Sequence, residues 1–148
     1  MNRREALLSG AAIAAAAVVG RAQAAEMQHH HHAAMANTAL VSAAADCIQK
    51  GQVCLNHCLN HCLYLLGQGD KEMAACAKSV NEMLALCGAL QSLSNQESAT
   101  LPRLAAIAMD ACNQCEEECK KHADKHDACK ACGESCNACA KECKKIAA

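Results

Sequence analysis

The stretch DACKACGESCNACAKECKK, Asp127 to Lys145, carries cysteine at 129, 132, 136, 139 and 143, with spacings that alternate between three and four. On a helix turning about 100° per residue, that alternation returns all five thiols to one stripe, where an amphipathic helix would carry leucine. The core face of this segment is written in sulfur. The same stripe recurs upstream at Cys112, Cys115 and Cys119, and again at Cys47, Cys54, Cys58 and Cys62, with Cys76 and Cys87 between them. Residue type and spacing together indicate an all-α protein, a helical bundle whose Cys-lined interior binds many soft metal ions.

Working outward, residues 1–24 stand apart from the fold. Arg3 and Arg4 precede an Ala-rich apolar run over residues 6–20, and Ala22-Gln23-Ala24 offers small residues for cleavage. This resembles a twin-arginine export signal. The run is too short and too rich in alanine to serve well as a membrane span. The resemblance implies a periplasmic protein exported already folded, so that its thiols do not meet oxidising conditions in an open chain. Residues 25–36 follow as a flexible segment with Met27, His29 to His32 and Met35; a plain polar lead and a metal-collecting tail are both consistent with it.

The remaining residues, 37–148, suit a single domain. Beyond residue 24 the formal charge is −3, from 11 Lys and Arg against 14 Asp and Glu, and Tyr64 is the sole aromatic side chain. Without a basic patch or stacking rings, nucleic acid is not a partner. Leu, Ile and Val supply 18 of these 124 residues, below the level of an ordinary globular core. Alanine and cysteine must fill the interior, and such a core gains stability from whatever binds to it.

Four helices follow from the pattern. The first covers about Asn37 to Leu66. Gly67-Gln68-Gly69-Asp70 stops it and caps a second helix, which runs to about Leu93 with Met73, Cys76, Val80, Met83, Leu84 and Cys87 inward. Ser94-Asn95-Gln96-Glu97 has the form of a capping box, yet Pro102 does not fit an unbroken helix from there, so a turn is expected near Ser98 to Thr100. A third helix then spans Leu101 to His122, and Asp124 or Asp127 caps the fourth. Short connections make the fold an antiparallel up-down-up-down four-helix bundle.

That topology gathers His57, His61, Cys62, Met73, Cys76, Cys119, His122, His126 and Cys129 at one end. Leu84, Leu90, Leu93, Leu101 and Leu104 are expected to seal the other. Between them the cysteines of the first and fourth helices each extend over roughly 20 Å. The expected object is a thiol-lined tube, open at one mouth.

Softness, geometry and charge select the ion. Thiolate and thioether favour Cu(I), zinc and iron-sulfur clusters over hard cations. Tetrahedral zinc on four thiolates would bury two net negative charges, whereas one Cu(I) per thiolate leaves the core neutral. Thiols at i,i+3 or i,i+4 lie about 5–6 Å apart at Cβ and form a two-sulfur clamp for such an ion. The alternatives are a zinc or other soft-metal buffer and a disulfide-stabilised exported structural domain, to which an even count of 14 cysteines also conforms. A ferredoxin motif requires C-x₂-C-x₂-C-x₃-C-P in loops, and no nucleophile stands beside an activating base, so an enzyme is not expected.

Among single residues, Met83 and Met109 read as fillers of core gaps. Met73 lies beside Cys76 at the mouth, a place for a thioether ligand. His61 falls closer to the cysteine stripe than His57, which ranks it ahead as a ligand. His122 and His126 either ligate or, with Lys120, Lys121 and Lys125, complement the end of the third helix.

The blocks C-L-N-H-C at 54–58, M-A-A-C at 73–76, L-C-G-A-L at 86–90, E-C-K-K at 118–121 and C-K-A-C-G-E-S-C-N-A-C-A-K-E-C at 129–143 resemble the exported bacterial copper storage proteins. The resemblance covers nearly the whole chain after the leader. It implies a homotetramer of four-helix bundles, each holding many Cu(I) ions on core thiolates, with His and Met sites at the open end. By position, His57 and Met73 match the family's entrance ligands. His61 stands where the family pattern has Met, and Cys62 is additional to it. Copper ions are thus the expected partners, and no donor or acceptor protein can be read from the chain.

Overall fold

The computed structural model describes residues 37–66 and 71–147, with side chains for 37–61 and 72–147. The expected leader (1–24) and the His/Met-rich segment (25–36) lie outside the described residues, as does the side chain of Cys62. Four helices run in order: α1 (Thr38–Leu66), α2 (Lys71–Asn95), α3 (Leu101–Lys120) and α4 (Asp127–Ala147). Each packs on its chain neighbour, and α4 returns to α1, closing a ring of antiparallel helices around one axis. Among the described residues no helix is long and apolar enough to cross a membrane.

The sulfur stripe is the core. All five cysteines of α4 are fully buried, as are Cys112, Cys115 and Cys119 of α3, Cys76 and Cys87 of α2, and Cys47, Cys54 and Cys58 of α1. Hydrocarbon joins them mainly at one end, where Leu40, Ala44, Leu90, Leu101, Ala105 and Ala108 are buried and Leu93 and Leu104 pack alongside. Buried Ser79 and Ser135 donate to the carbonyls of Cys76 and Cys132 three residues back, so neither hydroxyl is left unpaired in the core. On the outside, Lys121 pairs with Glu118 and Lys145 with Glu142, each at 2.7 Å. Exposed pairs of this kind contribute only about 0.2–1 kcal/mol, so solubility rather than stability is their main product.

Two helix boundaries differ from the sequence expectation. Ser94 to Glu97 does not cap α3; it ends α2. Ser98 N–H donates to the Leu93 carbonyl at 3.0 Å and Glu97 N–H to that of Ser94 at 3.2 Å, with Glu97 at φ 50°. That is a Schellman closure with glutamate in the left-handed position where glycine is usual. The expected turn at Ser98 to Thr100 is present, and Pro102 lies in the first turn of α3, where its missing N–H costs nothing. At the other boundary α3 ends at Lys120 rather than His122, and Asp127 is the first residue of α4 rather than its cap. The cap position falls to His126, whose carbonyl accepts from Lys130 N–H at 3.1 Å.

Leu84 is also displaced from its expected place at the sealed end. It lies half-buried in mid-bundle against Gly51, where a Cβ would come within 2.9 Å of its Cδ2. Glycine at 51 is what lets α2 approach α1 this closely.

Candidate metal centre

The thirteen described cysteines are all free and buried. Their sulfurs approach one another at 3.6 to 4.0 Å, across helices more often than along one. A disulfide would need about 2.03–2.05 Å. For sulfurs ~2.3 Å from a shared ion, three in a plane stand ~4.0 Å apart and two opposed ones ~4.6 Å apart. The observed approaches match the three-sulfur spacing and are shorter than that of two opposed sulfurs, which must move apart to take an ion.

Four groups have all their sulfurs within 4.8 Å of one another. Cys47, Cys87, Cys112 and Cys139, one from each helix, form the group nearest the hydrocarbon end. Cys54, Cys58, Cys76 and Cys129 form the group nearest the opposite end. Between them come Cys115, Cys132 and Cys136, and then Cys54, Cys119 and Cys132. The groups are not separate pockets. Cys132 and Cys54 each belong to two of them, and Cys47 lies 3.6 Å from Cys136, so an unbroken path of sulfur runs from one end to the other. Cys143 extends it past Cys139.

Spacing along one helix could find the stripe but not these groups, because their membership depends on which turns of different helices share a level. Cys54 and Cys58, 3.9 Å apart, are the expected i,i+4 clamp. The four-thiol groups are an addition, and each could also surround one tetrahedral ion.

Hydrogen bonds within the column draw some thiols down and push others up. Cys76 is drawn down to about 4, chiefly by the hydrogen bond from Cys119, and Cys139 to about 5, chiefly by that from Cys112. Cys54 is pushed up by its bond to Cys119, Cys87 by its bond to Cys112, and Cys143 by its bond to Cys139, with burial adding to each rise. A low thiol here is a thiolate held by a neighbour's S–H. A soft cation takes over that role by displacing the shared proton.

Beyond the last thiol group the imidazoles assemble. His57 Nε2 and His126 Nδ1 are hydrogen-bonded at 2.9 Å, the His61 ring lies 4.4 Å from that of His57, and the His122 ring 6.4 Å from that of His126. The ranking of the two α1 histidines is the reverse of that expected from the stripe: His57 is half-buried and bonded across to His126, while His61 is exposed. Burial, with the charges of His61 and His126, lowers the pKa of His57 and keeps it neutral and able to donate a lone pair. His122 is buried with no partner for Nε2. Met73, three residues before Cys76 on α2, is buried in the core.

One further sulfur lies against the column, that of Met83, which fills the core as expected. Its Sδ stands 3.2 Å from Cys47 Sγ. Its position on the same face as Cys76 and Cys87 was the available signal for its burial.

Comparisons with known proteins agree with this geometry. A profile of the copper storage protein family matches residues 35–148. Among solved structures, apo copper storage protein 3 from Bacillus subtilis aligns at 28% identity with a TM-score of 0.65, covering 76% of this chain and 99% of that one. The Cu(I)-bound form of the same Bacillus subtilis protein aligns at 29% identity with a TM-score of 0.63 and the same coverage. No curated protein matches the chain.

Proposed function

The chain belongs to the copper storage protein family, and from that premise we propose that it stores Cu(I), many ions at once, on the thiolates of its core. The observation that carries the reading is the sharing of Cys54 and Cys132 between thiol groups and the 3.6 Å step from Cys47 to Cys136. A buffer for one or two ions has no use for continuity. A store does, because each ion can pass by thiolate exchange from a filled group to the next.

Charge supports the choice of a monovalent ion. Each buried charge left uncompensated costs several kcal/mol, so a column of tetrathiolate sites filled with divalent ions would accumulate a penalty that one monovalent ion per thiolate avoids. On that ground the capacity is on the order of one Cu(I) per cysteine.

Uptake is assigned to the mouth. His57, His61, His122 and His126 with Met73 form a ligand set outside the first thiolates. The unpaired Nε2 of buried His122 supports this, since an orphaned buried polar atom costs about 1–3 kcal/mol that ligation would offset. The twin-arginine-like leader supports a periplasmic location, and the family resemblance supports a homotetramer. The function is sequestration without turnover.

The four-thiol groups favour a second reading, zinc buffering. Anaerobic titration against a chromogenic Cu(I) chelator, repeated with zinc present, separates the two. Storage is upheld if copper displaces zinc and continues well past the number of four-thiol groups. Saturation at two or three ions, or retention of zinc against copper, would favour the buffer.

A further inference from the structure

Met83 is fully buried on α2, between Cys76 and Cys87. Those two cysteines are eleven residues apart, ~16 Å along the helix axis, and over that interval α2 offers the column no thiol. Met83 falls in the gap. Its Sδ stands 3.2 Å from Cys47 Sγ, closer than any of the thiol–thiol approaches in the column. The orientation is fixed from the far side, since the methyl Cε rests where a Cβ on Gly51 would be only 2.7 Å away. Leucine would fill the volume. It would not put a lone pair on Cys47.

Cys47 is also the joint of the path. It belongs to the four-thiol group near the hydrocarbon end and touches Cys136 of the next group. We propose that Met83 is a thioether ligand for the Cu(I) ion held at this joint, a binding role that rests on the copper-storage reading. Thioether sulfur is soft, so it suits the ion, and neutral, so it supplies another donor without adding charge to the core. In the exchange Cu(I) enters, the Cys47 proton leaves to solvent, a thiolate–copper bond replaces the Cys47 S–H bond, a dative bond from the Met83 lone pair replaces the hydrogen bond that lone pair accepted, and no electron moves. The two sulfurs must part from 3.2 Å to admit the ion; the unbranched methionine chain, with three rotatable bonds, allows it.

Selenium in place of methionine sulfur makes the contact visible. The selenomethionine protein, loaded with Cu(I), is compared with Met83→Leu and Met109→Leu by X-ray absorption at the selenium edge, and total bound copper is counted on the same samples. Met83→Leu conserves volume, a change that usually costs less than ~1.5 kcal/mol, so it folds. A copper neighbour of selenium should be present in the parent, diminished in Met83→Leu and unchanged in Met109→Leu. Equal copper signals in Met83→Leu and the parent, with many ions bound, would overturn the role of Met83 alone. Two or three ions bound in all samples would overturn storage itself.

Discussion

The two ends of the bundle use the same four helices for opposite chemistry. At one, Leu40, Leu90 and Leu101 are buried with alanines; at the other, four imidazoles cluster next to the thiols of Cys58 and Cys129. The hydrocarbon end supplies packing energy that does not depend on metal. The histidine end presents polar rings, which in the uptake role proposed above act as ligands. The contrast teaches that stability and access are handled at different places, with the sulfur column joined to both.

The widest separation should come from Leu90→Ala, which removes a fully buried side chain from the sealed end. A loss of about 2–5 kcal/mol is expected in denaturant unfolding of the apo-protein. Copper bound per folded molecule should not change, and loading should recover much of the loss because the ions bind the folded state. If Leu90→Ala instead lowered copper capacity in molecules that remain folded, the division of labour would fail.

Gly51→Ala probes the middle. The new Cβ would meet Met83 Cε at 2.7 Å and Leu84 Cδ2 at 2.9 Å, the mobile ends of two side chains, and their displacement is set against the ~0.8–1 kcal/mol that alanine gains over glycine within a helix, so a net change within ~1 kcal/mol is expected. A loss of several kcal/mol would show that Met83 and Leu84 cannot give way, against the mobility assigned to them here.

Glu97→Gly acts just outside the sealed end and in the opposite direction. Relief of the left-handed backbone at φ 50° should raise stability by roughly 1 kcal/mol, read as a shift in the denaturant midpoint. Destabilisation would show that the glutamate side chain has a role that outweighs its strain.

The smallest effect belongs to the mouth and appears only in mild acid. The folded-state pKa of His57 lies below the ordinary 6.5, so the unfolded chain takes up a proton there more readily than the folded one. Its contribution to stability is complete above pH 6.5 and is lost as pH falls through the lower folded value. His57→Gln should flatten that part of the pH–stability curve and slow copper uptake without altering capacity. A curve identical to the parent's would remove His57 from the cluster as described.

Much of this was legible in advance because a single helix periodicity carries it. Spacings of three and four in Asp127 to Lys145 are sufficient to put all five thiols of α4 on one face, and the packed neighbours then bury that face. The end of α2 was not legible: Ser94 to Glu97 satisfies the residue pattern of a helix start, and only the bonds from Glu97 and Ser98 back to Ser94 and Leu93 reveal a stop. The groups that could hold ions were beyond reach for another reason. Cys47, Cys87, Cys112 and Cys139 meet because four helices bring one turn each to a common level, which depends on loop lengths and close contacts such as that at Gly51. Met83 was legible as a core residue, but its approach to Cys47 was not, because that depends on how α1 and α2 pack.

Anomalous diffraction at the copper edge, from crystals of the Cu(I)-loaded protein, tests the sulfur column most directly. A file of copper peaks along the bundle axis is expected, from the His57–His126 pair at the mouth past Cys54, Cys132 and Cys136 to Cys47 and Cys139. Peaks confined to the two four-thiol groups, or lying on the outer faces of the helices, would contradict it.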